Sequence, residues 1–311
     1  MKIKFLSAVA IGLASLAFTS CSEETLSDTS VIPDGSFGQT AENDSEFDKW
    51  IKDNYTTPYN IRLQYRYLDK ETDLTYNVVP AKIPQSKALA KLVKHIWIGT
   101  YEEAIGQDFI KTYTPRVIQL IGSYEWNSNG SQVMGTAEGG LKIMLYGVNY
   151  LDINNPRINS DNPYESKSSI PLDLNYWFFH TMHHEFCHIL TQTKEYPTDF
   201  RTISAGKYHA TDWINVKDED APKEGFVTGY ASGEYNEDFA EVYANYVTLS
   251  DAGWQKILDK ADDEGKAIIN QKLAMVKEYF MNSWGVDLDN LRTIVLRRSQ
   301  EAVKMDLHTL D

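Results

Sequence analysis

The stretch FFHTMHHEFCHILTQT, residues 178–193, places four of the chain's seven histidines within nine positions of an otherwise apolar segment. On an α-helix, positions i and i+4 lie on one face, a turn apart. His184 and His188, the two ends of HEFCH, would therefore converge on a single ion. Glu185, the next residue along, points close enough to hold a water bound to that ion. Trp177, Phe178, Met182, Phe186, Ile189 and Leu190 give the segment the apolar, helix-length character of a buried element. A buried helix with two imidazoles on one face and no partner for them would carry unsatisfied polar groups. The chain must therefore bury this helix, keep one face open to a cleft, and bring a third ligand from elsewhere. Catalytic zinc takes three protein ligands and leaves one position for water.

The third ligand is sought downstream. Extending the motif to H-E-x-x-H-x-x-G-x-x-H fails, because Thr191 and Lys194 occupy the glycine and third-histidine positions. The segment YASGEYNEDFAEVYANY, residues 230–246, offers a second helix. Asn236 is its expected N-cap, Glu237 and Asp238 fill its first turn, and Phe239, Val242, Tyr243 and Tyr246 supply an inward face. Glu237 and Glu241 stand i, i+4 and face the same way. One of them can bind the ion while the other accepts the N–H of a ligating histidine. Asp238 lies roughly 100° further round the helix and faces elsewhere.

The remaining histidines have weaker claims. His180 sits one turn before His184 and reads as a satisfied core or rim histidine that could touch substrate. His183 and Cys187 share a different face, with Cys187 as a small packing residue. His209, in the long loop 195–234, is a possible group on the substrate side.

HEFCH followed by YASGEYNEDFAE resembles the gluzincin site of the anthrax lethal factor type. That resemblance implies one Zn2+ held by His184, His188 and Glu237, with Glu185 as general base. It further implies Glu241 as the carboxylate behind a ligand histidine. Tyr230, seven residues before Glu237, falls where the family has its transition-state tyrosine.

The N-terminus bears on location. MKIKFLSAVAIGLASLAFTSC opens with two lysines, runs through an apolar stretch from Phe5 to Phe18, and reaches small residues before Cys21. This is a secretory layout, too short for a comfortable membrane span of about 20 residues. Residues 1–20 resemble a bacterial lipoprotein signal, with Cys21 as the lipidated residue, although Phe18 departs from the usual aliphatic residue three positions before it. Residues 21–45 then read as an acidic flexible tether. With the signal, the whole chain resembles the zinc-binding metallopeptidase lipoproteins of Bacteroidetes associated with substrate import. The resemblance implies an outer-membrane lipoprotein exposed at the cell surface of a Gram-negative bacterium, with an outer-membrane nutrient importer as a possible partner.

Residues 46–311 read as one α+β domain of two lobes. An α/β lobe, 46–194, carries helices near 48–55 and 86–105 and strands near 61–69, 75–79, 116–122 and 140–151. A helical lobe, 195–311, follows, with helices near 235–249, 251–261, 264–283 and 287–303. The resemblance implies a zincin-like fold in which an edge strand pairs with extended substrate. Residues 141–149 are the candidate for that strand, though an interior position fits them equally well.

A formal charge of −14 disfavours nucleic acid, whose phosphates need a basic surface. The expected function is a zinc-dependent metallohydrolase, a peptidase acting on peptide or protein through a zinc-activated water. The alternative is a non-catalytic surface lipoprotein that captures peptide or glycan for an importer.

Overall fold

The computed structural model describes residues 45–67, 77–126, 132–133, 135–138, 141–165 and 171–310. The signal segment, Cys21 and the tether as far as residue 44 lie outside the described residues, as do 68–69, 75–76 and 140 of the expected strands.

Six short strands occur among the described residues: β1 (Arg62–Gln64), β2 (Val117–Leu120), β3 (Glu125–Trp126), β4 (Gln132–Val133), β5 (Gly135–Glu138) and β6 (Lys142–Leu145). Four of them form a sheet in the order β1-β2-β6-β5, while β3 and β4 pair with each other. β1, β2 and β6 run parallel, and β5 returns antiparallel to β6 with Gly135 opposite Leu145. Residues 77–79 are not a strand; only Pro80 makes a bridge, to Ile121.

Of the two positions left open for residues 141–149, edge or interior, the structure takes the interior one. Its strand is β6, which lies between β2 and β5, and among the described residues the edge strands are β1 and β5. Ile143, Met144 and Leu145 are all essentially buried, the continuous apolar run of a strand covered on both faces. After Leu145 the chain leaves the sheet through Gly147, whose φ of 76° suits a residue without a side chain, and enters a single tight turn, Val148–Tyr150.

Beyond Asp173 the long elements are helices, as the periodicity predicts, and the loop 195–234 between the first two carries only short turns of helix. The motif helix, His180–Thr193, follows a wide π-type turn at Asn175–Phe179. The glutamate helix, Tyr235–Thr248, comes next, then Asp251–Lys260, Asp263–Tyr279 and Leu288–Ala302. The glutamate helix starts two residues earlier than a cap at Asn236 implies. Glu234, extended at φ −164°, is its N-cap residue and makes no side-chain cap, whereas Asn236 lies inside the first turn and donates its amide to the Glu234 carboxylate.

One apolar cluster runs from Phe47 to Leu307 and takes in Phe178, Phe186 and Leu190 near or on the motif helix. It also takes in Phe239, Val242 and Tyr243 of the glutamate helix. Burying each such side chain is worth about 1.5–3 kcal/mol. These apolar stripes dock the two helices together and leave their polar faces opposed. Trp97 and Tyr101 pack edge-on against Phe186, with ring centres 5.2 and 4.9 Å away, and hold the back of the motif helix.

Candidate metal centre

Two faces that would each be costly to bury alone meet here. His184 Nε2 lies 2.9 Å from Glu237 Oε2, His188 Nε2 lies 3.2 Å from the same oxygen, and the two Nε2 atoms are 3.0 Å apart. Two imidazole nitrogens and a carboxylate oxygen thus face one point. A tetrahedral zinc with bonds of ~2.0–2.1 Å holds its ligand atoms about 3.3 Å apart, so this set fits the ion after a small expansion. His184 is 5% exposed, so its tip is almost wholly the protein's to define.

Glu241 stands behind His184. Its Oε1 accepts from His184 Nδ1 and from His180 Nε2, each at 2.8 Å. Its Oε2 accepts from Thr228 Oγ1 at 2.7 Å and from Asn245 Nδ2 at 3.3 Å. With Nδ1 donating to Glu241, Nε2 is the nitrogen of His184 left to face Glu237 and His188, and an ion that displaces its proton would meet its lone pair.

The electrostatics follow from this packing. Burial alone would strip the proton from His184, but the carboxylates of Glu237 and Glu241 outweigh it and raise its pKa well above the ordinary value. Burial likewise opposes the charge on Glu241, and His180 and His184 reverse that, holding it well below the usual carboxylate range. Glu237 is also held low, by His184 and His188 working against its burial.

The cleft in front of these atoms has a volume of about 670 Å³, and Gly135, Glu185 and Tyr230 line it with them. Gly135 brings the edge strand β5 against the helix: a Cβ there would come within 2.4 Å of the Thr181 side chain. Tyr230 is 39% exposed, its ring centre is 5.7 Å from that of His184, and Trp213 packs across it at 4.9 Å. Burial of its hydroxyl and the neighbouring Glu237 carboxylate raise its pKa, so it remains a donor.

The other candidates fall outside the centre. His183 is fully buried, its Nδ1 2.7 Å from the Tyr101 hydroxyl, and burial pushes its pKa down to about 3. Cys187 is a free, buried thiol raised by burial. His209 binds Glu224 at 2.9 Å. Asp238 faces away, as expected, and pairs with Lys272 at 2.7 Å in a wholly buried ion pair. Sequence reasoning did not anticipate Thr228, Asn245 or the bond from His180 to Glu241. His180 carried a signal, being one turn before His184; Thr228 comes from a loop whose course no local pattern announces.

Two histidines from one helix and a glutamate from another, opening on a cleft, define a candidate mononuclear centre of the His2Glu kind. The chain belongs to the family described as "Putative zinc-binding metallo-peptidase", whose model matches residues 40–289. It is also similar to a solved structure, "a putative zinc-binding metallo-peptidase from Bacteroides caccae", at 42% identity and a TM-score of 0.71, over 88% of this chain and 98% of that one. No curated protein matches the chain. Zinc is thus the cofactor of the family, and His184, His188 and Glu237 are residues that could hold it.

Proposed function

We propose that the chain is a zinc-dependent metallohydrolase of zincin-like fold that cuts peptide bonds, with His184, His188 and Glu237 as zinc ligands. The observation that supports this most is the convergence of three ligand atoms within 3.2 Å of one another, at a cleft that Glu185 also lines. Bound there, zinc supplies Lewis acidity, lowering the pKa of a water toward ~7 and polarising a carbonyl.

The chain's own residues do the rest. Glu185 takes the proton of the attacking water and delivers it to the leaving amine. Tyr230, kept protonated, donates to the oxyanion as charge develops, a contribution typically worth ~3 kcal/mol. Glu241 fixes the tautomer and direction of His184. Extended substrate adds to the open edge of β5, whose Gly135 lies beside the motif helix. Cys21 is the lipidated residue, residues 21–45 the tether, and the enzyme works at the outer surface of the outer membrane beside a nutrient importer.

The chain from residue 22 onward, loaded with zinc, should cleave members of a mixed peptide pool, and Glu185→Gln should hold zinc and cleave none. Equal cleavage by both proteins would remove Glu185 from its role. Bound zinc with no cleavage by either would favour capture of peptide or glycan over hydrolysis.

A further inference from the structure

Among the described residues lining the cleft, Arg201 is the single lysine or arginine, and nothing above accounts for it. It sits in the short helix Phe200–Ile203. Its guanidinium lies over two tyrosine rings, 5.4 Å from the centre of Tyr196 and 4.7 Å from that of Tyr235. Tyr196 is itself pinned: its hydroxyl donates to Asn236 Oδ1 at 2.8 Å and its ring stacks on Phe239 at 4.2 Å. The aromatic clamp is therefore anchored to the helix that supplies Glu237.

The contrast with other arginines is informative. Arg66, Arg292, Arg297 and Arg298 each close on a carboxylate of this chain. Arg201 makes no such ion pair among the described residues, and its buried Nε has no hydrogen-bond partner. Ring contacts engage the face of a guanidinium, and although the Tyr196 hydroxyl meets part of its N–H edge, the side that carries Nε is left available. That planar edge matches a carboxylate in two parallel hydrogen bonds.

We propose that Arg201 is a specificity residue that anchors a carboxylate of the substrate, supplied by an acidic side chain or a free C-terminus at a fixed distance from the cleaved bond. The proposal rests on the hydrolase reading above and names its substrate class. Glu195 and Glu234 line the same cleft. Glu234 is engaged by the Asn236 amide at 3.2 Å, and both carboxylates repel acidic groups, so acceptance is confined to the Arg201 position.

The test is a binding measurement that needs no turnover. Zinc-loaded Glu185→Gln protein is titrated with alanine-based peptides in which Glu or Gln is placed at each position in turn, every peptide made as C-terminal acid and as amide. One placement of the carboxylate should bind about tenfold more tightly than its neutral counterpart. The acid and amide forms tell a C-terminal carboxylate from a side-chain one. Adding Arg201→Gln should abolish the preference, and Arg201→Lys should keep part of it, with zinc content unchanged in both. Equal binding of charged and neutral peptides, a preference that survives Arg201→Gln, or no binding of any peptide would each overturn the proposal. Cleavage by the wild type is scored separately. A preference without any cleavage sinks the hydrolase reading alone, and cleavage indifferent to the carboxylate sinks the anchor alone.

Discussion

Replacing Glu241 tests whether the carboxylate behind His184 matters as much as the packing implies. Its carboxylate is 4% exposed and takes four hydrogen bonds, from His180, His184, Thr228 and Asn245. Hydrogen bonds to a charged group contribute about 1.5–3 kcal/mol, against about 1 for a neutral pair. Glu241→Gln keeps an acceptor for His184 but loses the charge, so roughly 1–2 kcal/mol of support for the correct tautomer disappears. That is about a tenfold weaker zinc affinity, whereas Glu241→Ala, which also frees the ring to turn, should approach a hundredfold. Competition with a chromogenic zinc chelator at fixed pH reads both values, with circular dichroism confirming the fold. Glu241→Ala binding zinc within about twofold of wild type would refute the reasoning, because His184 would then be oriented by something else.

Three other outcomes follow from particular contacts. Lys272→Met strands the Asp238 carboxylate in a fully buried site, with only the Tyr208 hydroxyl left to it at 2.9 Å; urea unfolding should show a loss of about 3–5 kcal/mol, and a loss under about 1 would mean that the pair contributes little. His184 has a raised pKa in the zinc-free protein, so its stabilising proton is fully present below the unfolded value of about 6.5 and is lost as pH climbs through the folded value. The melting temperature of the zinc-free protein should therefore fall as pH rises above about 6.5, while zinc affinity keeps increasing because zinc displaces that proton; a flat zinc-free melting profile would contradict the assigned contacts. Gly135→Val should push β5 off the motif helix, since even a Cβ there meets Thr181 at 2.4 Å; a cost of about 1–3 kcal/mol is expected by thermal melting, and an unchanged transition would mean that the strand moves freely.

The parts of the molecule that were legible in the sequence are those set by local periodicity. His184, His188, Glu237 and Glu241 could be paired on paper because i, i+4 spacing fixes a shared face whatever the surrounding fold. The helices after Asp173 were visible for the same reason. The N-cap was misplaced because Asn236 has the stronger intrinsic preference, yet the chain turns at Glu234, where no side-chain cap forms. The edge of the sheet was not legible at all. Gly135–Glu138 has neither β-branched run nor alternation, and its place beyond β6 is decided by long-range pairing. Arg201 and Thr228 were invisible for a related cause. They sit in the loop 195–234, whose path depends on distant contacts such as the Lys272 ammonium donating to the Gly225 carbonyl at 2.8 Å.

Zinc K-edge X-ray absorption on the refolded, zinc-supplied protein reads the ligand set itself. One ion per chain with two imidazoles and light oxygen ligands is expected, with one imidazole lost in His188→Ala and a changed oxygen shell in Glu237→Ala. Zinc absent after loading, or a spectrum that none of these substitutions alters, would contradict the centre on which the function is built.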